Sequence, residues 1–232
     1  MELTQTIALI SGGASGLGAA AARGLAARGA RVLIFDQNEA RAESLAGLLG
    51  QYARWMVGDV TEASNVQAAI DYVQQTWGGL NAAINTAGIG MALRTTSKNS
   101  PHPLDVFDEV VRINLVGSFN VLRLCATAMV NNPPDANGER GVLINALDTA
   151  AFDGQAGQAA YAASKGGLAA LTLPVSRDLA GEGIRVVGLV PPGAENAGVA
   201  RHSRGEEFAR MVAYALSTPG LTGENLREIP GE

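Results

Sequence analysis

Six short apolar runs constrain this fold more than any other feature of the chain. They are Thr6–Ile10, Arg31–Phe35, Arg54–Val57, Leu80–Ile84, Gly141–Ile144 and Ile184–Val190. None shows the in–out polar alternation of a strand with one wet face. Strands of this kind are buried on both faces, as in a parallel sheet. Longer stretches with helical periodicity separate them, over about 16–28, 39–49, 62–76, 104–130 and 156–180. Strand–helix alternation along the whole length predicts an α/β chain, a doubly wound parallel sheet with helices on both sides. The polar stretch 131–140 reads as a surface loop. Nothing between the units resembles a linker, so residues 1–232 are expected to form a single domain.

Composition sets further bounds. Hydrophobic residues make up 47% of the chain and charged residues 17%, which supports a sizeable core and argues against disorder. The net charge of −5, with no Lys/Arg run, excludes a broad nucleic-acid surface. A single cysteine, Cys125, allows no internal disulfide and is expected to be buried and inert. Met1–Gln5 carries no basic cluster, and 6–10 is too short for a signal-peptide core. No unbroken apolar run reaches the roughly 18 residues of a membrane span. A soluble, cytoplasmic protein is the expectation. His102 and His202 lie far apart without companions at ligand spacing, so no metal site is expected. His202, with Arg201 and Arg204, reads as a solvated basic stretch.

The stretch SerGlyGlyAlaSerGlyLeuGly (11–18) follows the first apolar run directly and opens the first helix. Gly12, Gly16 and Gly18 allow a tight turn and close approach to a pyrophosphate. Ser15 and Leu17 complete the helix start, whose unpaired N–H groups favour an anion. Asp36 ends the second run, eighteen residues beyond Gly18. A carboxylate there accepts hydrogen bonds from ribose hydroxyls and repels a 2′-phosphate, so NAD is favoured over NADP. Asp59 and Val60, after the third run, are placed to cover an adenine. Together these features predict a Rossmann-type domain.

Further along, AsnThrAlaGly (85–88), Asn114 and Tyr161-x-x-x-Lys165 follow in order. With the glycine stretch and Asp59-Val60, they stand in the order and spacing of the short-chain dehydrogenase/reductase family, which the chain resembles up to about residue 190. The stretches 88–98, 114–124 and 157–167 resemble its 3-hydroxyacyl-CoA dehydrogenase type 2 branch. Tyr161 and Lys165, four apart on a helix, share a face. A lysine ammonium near the phenol is expected to lower its pKa from about 10 toward neutral, so that the phenolate can take an alcohol proton. The resemblance implies that Lys165 also binds the nicotinamide ribose, that Asn114 holds a water in a proton relay, and that Asn85, Thr86, Ala87 and Gly88 flank the cofactor. It also implies association into a homodimer or homotetramer through the helices at 104–130 and 156–180.

Two departures stand out. Thirteen residues before Tyr161, where the family has a serine that donates to the substrate oxygen, this chain has Asp148. An ionised Asp148 cannot donate and opposes phenolate formation. A neutral Asp148, held so by an apolar site, would donate; pairing with Lys165 would draw the lysine from its task. Asp148→Ser is expected to raise activity if the fold is otherwise competent. The second departure is ValProProGlyAlaGluAsnAlaGly (190–198), which lacks the family's Thr. Only 29 residues separate Gly193 from Gly223, so the substrate-covering segment looks abbreviated. A short helix over 205–217, a more open pocket and a final strand within 222–229 are expected. Two functions follow. One is an NAD-dependent oxidoreductase acting on a secondary alcohol or ketone, for which the resemblance implies hydroxyacyl, steroid-like or other apolar substrates. The other is a dinucleotide-binding protein with impaired or lost redox activity, acting through complex formation.

Overall fold

The computed structural model describes residues 1–192 and 201–227, with 201–203 as backbone. Nine strands are present among them: β1 (Ile7–Ser11), β2 (Arg31–Asp36), β3 (Ala53–Val57), β4 (Ala82–Asn85), β5 (Thr96–Ser97), β6 (Ser100–Pro101), β7 (Gly141–Ala146), β8 (Ile184–Leu189) and β9 (Asn225–Leu226). The helices are α1 (Gly16–Ala26), α2 (Glu39–Leu49), α3 (Ala63–Trp77), α4 (Leu104–Val111), α5 (Ser118–Met129), α6 (Ala159–Leu179) and α7 (Arg201–Ser217). Seven strands form one sheet in the order β3-β2-β1-β4-β7-β8-β9, and every pairing in it is parallel. β5 and β6 make a small antiparallel ladder in the loop before α4.

Both faces of the sheet are apolar because successive side chains point to opposite sides. Ala8, Ile10, Val32, Ile34, Ile84, Ile144 and Val187 pack under α1, α2 and α7. Their immediate neighbours Leu9, Leu33, Phe35, Ala83, Leu143 and Val186 pack under α3, α5 and α6. This two-sided burial is what the unpatterned apolar runs require. Parallel strands also all end at the same edge, so the loops after β1, β2, β4 and β7 converge there.

Three expectations are corrected. The helix over 104–130 is not uniform: α4 and α5 are joined by a π-helical turn, Arg112–Gly117. The resulting helical run, Leu104–Met129, is long and apolar enough by length and composition to cross a membrane. The most apolar 18-residue window within it is 50% buried, with Val121, Leu122, Cys125 and Met129 of the run in the core. Finally, α7 begins at Arg201 rather than 205, and it is a core helix rather than a cover. Phe208, Met211, Val212 and Leu216 are buried against the sheet, and Gly24 of α1 approaches so closely that a Cβ there would lie 2.9 Å from the Ala209 Cβ. Of the expected final strand, Asn225–Leu226 pairs with β8, while 228 and 229 lie outside the described residues, as does the 193–198 stretch.

Candidate active site

A cleft of about 450 Å³ runs along the carboxyl edge of the sheet. Its wall includes Gly12, Ser15, Gly16 and Leu17 at one end and Asp148, Tyr161, Lys165 and Arg204 at the other. The first end is built by the turn between β1 and α1. Gly12 has φ of +65°, and a Cβ on it would meet the Ala87 nitrogen at 2.6 Å. Thr86 closes the same contact, its hydroxyl donating to the Ser11 carbonyl at 2.6 Å. Gly18 lies so close to the Gly12 carbonyl and the Thr86 hydroxyl that no side chain fits. Gly16 differs: φ is +49°, and nothing stands within 4 Å of where a Cβ would be. That open space lies in front of the α1 N-terminus, whose first N–H groups have no side-chain cap from Ser15. The cradle fits a dinucleotide pyrophosphate.

Asp36 lines the cleft at the end of β2. Its Oδ2 accepts from the Ala14 amide at 3.0 Å and its Oδ1 from the Asn38 amide at 2.9 Å. It therefore braces the glycine turn while keeping lone pairs for a ligand hydroxyl. Asn38, not Asp36, caps α2. Val60 lines the wall, packed against Gly117 of the π turn. Asp59 does not face the cleft: its Oδ1 accepts from both the amide and the hydroxyl of Thr61 at 2.8 Å. Thr86, Ala87 and Gly88 line the wall, followed by Ile89 and Gly90.

Asn85 and Asn114 are buried beneath the wall rather than on it. Asn85 accepts from the Ser11 hydroxyl and donates to Asn145 Oδ1 and the Ser118 carbonyl, tying β1, β4, β7 and α5 together. Asn114 Oδ1 accepts from the Ile89 amide at 2.8 Å, and Nδ2 donates to the Ile89 carbonyl and the Ser164 hydroxyl. Both amide hydrogens of Asn114 are thereby used. Its side chain positions the 88–90 loop against α6.

At the far end, Tyr161 and Lys165 share the α6 face toward the cleft, with Lys165 Nζ 6.0 Å from the Tyr161 ring centroid. Nζ donates to the Ala146 carbonyl at the end of β7, at 2.8 Å. The expected lowering of the Tyr161 pKa is overturned. Burial, then the charge and hydrogen bond of Asp148, push it up to about 12. Burial also draws Lys165 down to about 8, against the pull of Asp148.

Asp148 is neither neutral nor paired with Lys165. It caps the short turn Thr149–Ala151, with Oδ1 accepting from the Ala150 amide at 3.0 Å. Its Oδ2 accepts from Arg204 Nη2 at 2.7 Å. Although burial opposes ionisation, the Ala150 amide and Arg204 hold its pKa below the ordinary carboxylate value, so it is an anion at neutral pH. Arg204, read from sequence as part of a solvated stretch, instead reaches back from α7 into the cleft. Its position in the first turns of a helix following β8 was the available signal; its partner Asp148, 56 residues earlier, was not visible in the sequence. The side chain of His202 lies outside the described residues.

The family model described as short chain dehydrogenase matches residues 6–207. The 3-hydroxyacyl-CoA dehydrogenase type-2 of Homo sapiens is 45% identical over 241 residues, covering 95% of this chain and 92% of that protein. The protein of the same name from Drosophila melanogaster is 42% identical over 246 residues, covering 97% and 96%. Among solved structures, 3-hydroxyacyl-CoA dehydrogenase type-2 from Mycobacterium avium superposes with a TM-score of 0.89 at 34% identity, covering 98% of this chain and 96% of that one. Five motifs in order, a seven-stranded parallel sheet and a family match over most of the length agree: the chain belongs to the short chain dehydrogenase family of oxidoreductases.

Proposed function

We propose that this oxidoreductase uses NAD and interconverts a secondary alcohol and a ketone, with hydroxyacyl compounds as the substrate class. The observation that carries the proposal is the continuity of one cleft from the glycine cradle, past Asp36, to Tyr161 and Lys165. Gly12, Ser15, Gly16 and Leu17 would hold the pyrophosphate, and Asp36 the adenosine ribose. The preference for NAD rests on the Asp36 carboxylate, which would meet a 2′-phosphate as a like charge. A bound nicotinamide supplies a hydride acceptor or donor. The hydroxyacyl class is supported by the names of the relatives, which match nearly end to end.

Tyr161 moves the proton. With its pKa near 12 the phenol is protonated at neutral pH. It is ready to donate to a carbonyl oxygen during reduction, and must shed its proton before it can serve oxidation. Lys165, anchored on the Ala146 carbonyl, keeps a cation on the same helix face. Its charged form favours ionisation of the phenol once substrate and cofactor displace water from the cleft. Homo-oligomer formation through α5 and α6 belongs to the same reading, supported by Phe119 and Leu173, which stay exposed there.

NADH titration by fluorescence, with wild type beside Asp36→Ala, tests the cofactor assignment. Wild type is expected to bind NADH more tightly than NADPH, and the variant to lose about tenfold in NADH affinity, the size of one charge-assisted hydrogen bond. Equal affinities for the two dinucleotides, unchanged by the substitution, would refute it.

A further inference from the structure

The reducing and oxidising steps both place a partial negative charge on the substrate oxygen, and some donor besides Tyr161 has to meet it. Asp148 cannot be that donor, being ionised and committed to Ala150 and Arg204. Its partner can. Arg204 lines the same wall as Tyr161 and Asp148. Among the described residues its Nη2 donates to Asp148 Oδ2 at 2.7 Å, while no acceptor meets Nη1 or the enclosed Nε. A guanidinium nitrogen left unpaired beside a cleft is a donor that a ligand oxygen can meet.

We propose that Arg204, held in place by Asp148, is the hydrogen-bond donor to the substrate oxygen in this enzyme, and that the Asp148–Arg204 pair together fills the role of a small hydroxyl. The inference rests on the reading of the cleft as an alcohol/ketone site. A guanidinium carries five N–H donors in a fixed fork and stays charged, so one edge can bind the carboxylate while another faces the cleft. The carboxylate is a tether and a counter-charge. It keeps the cleft from presenting an unpaired cation, and it stops the long side chain of Arg204 from swinging into solvent, to which about a quarter of that side chain is exposed (26%). Arg204 makes and breaks no covalent bond: in reduction the carbon gains hydride from the dinucleotide, the oxygen gains the Tyr161 proton, and the charge passing through the oxygen rests against the guanidinium. Asp148 is a positioning residue and Arg204 a catalytic one.

The two residues make opposite predictions from a simple inhibitory aspartate. If Asp148 only raised the Tyr161 pKa, Asp148→Ala would increase turnover. With Asp148 as tether, Asp148→Ala lowers turnover, and Arg204→Gln lowers kcat/KM on the order of a hundredfold, the usual loss for one such donor, while NADH affinity is retained. Arg204→Lys restores part of the loss.

A spectroscopic readout separates this from mere misfolding. In the complex of oxidised NAD with a carbonyl-labelled 3-ketoacyl-CoA, isotope-edited infrared spectroscopy should show the C=O stretch shifted to lower frequency in wild type. Most of that shift should vanish in Arg204→Gln and in Asp148→Ala, with melting temperature and NADH binding little changed. An equal shift in wild type and Arg204→Gln, or faster turnover in Asp148→Ala, would overturn the inference and leave the assigned function standing. A wild type that binds NADH but forms no ketone complex would overturn both.

Discussion

Single residues decide the chemistry here through burial more than through sequence spacing. The Tyr-x-x-x-Lys pattern placed two side chains on one helix face, as expected, but it could not give the phenol its acidity. With Tyr161 at about 12, the proton-accepting form grows steadily as pH rises. The rate of alcohol oxidation is therefore expected to climb with pH across the neutral and mildly alkaline range, while ketone reduction, which needs the protonated phenol, stays level; a pH–rate profile in each direction checks this, and an oxidation rate already flat at neutral pH would contradict it. Cys125 offers a matching test of stability. Burial raises its thiol from 9.0 to about 12. The folded state then holds a proton that the unfolded state releases, so the contribution is complete below pH 9 and is lost as pH climbs toward 12. Urea unfolding of wild type and Cys125→Val should show the wild type losing ground above pH 9. At Gly16, where the backbone is left-handed and the space beyond is empty, Ala is expected to weaken NADH binding much more than it lowers the melting temperature, because about 1 kcal/mol of backbone strain costs only a few degrees in a domain of this size.

At the scale of elements, the π turn Arg112–Gly117 is the feature that most affects the site without touching it. It carries Asn114 to a point where one amide group bonds both the N–H and the C=O of Ile89 and reaches Ser164 on α6. Asn114→Leu would strand those groups inside the protein, and a loss of about 2–3 kcal/mol is expected by chemical denaturation, together with loosening of the Gly88–Gly90 loop. The sheet, the glycine turn, Asp36 and the α6 pair were legible in the sequence because each rests on local chemistry: unpatterned apolar runs, positive-φ glycines, a fixed helical spacing. The π turn was not, since a widened helical turn leaves no mark in the apolar periodicity of 104–130. Nor was the burial of Asn85 and Asn114, whose side-chain hydrogen bonds lie beneath the wall. Arg204 was misread for a related reason. Its surroundings in the chain are polar and basic, and only the packing of α7 on α1 turns it toward the cleft.

For the molecule as a whole, the two-sided sheet fixes where function can occur, because parallel strands gather their carboxyl ends at one edge. The opposite edge has its own polar anchor. Arg185 of β8 is buried, its Nε 2.8 Å from Glu139 Oε1, and its two Nη groups donate to the carbonyls of Ala215, Leu216 and Leu221. Glu139 also accepts from the Gly220 amide. This network holds the end of α7, and so indirectly the start of that helix, where Arg204 sits. Glu139→Gln removes the counter-charge of a buried guanidinium and is expected to cost about 3–5 kcal/mol in unfolding free energy; a change within error of zero would mean that the ion pair contributes nothing to the anchoring of α7. The most direct test of the central claim is NADH production from NAD and a 3-hydroxyacyl-CoA, with wild type beside Tyr161→Phe and NADH affinity measured for both. The account predicts turnover by wild type and a loss on the order of a hundredfold or more in the variant, with dinucleotide binding unchanged. Turnover that survives the loss of the Tyr161 hydroxyl, or a wild type that binds NADH and oxidises no substrate, would contradict it.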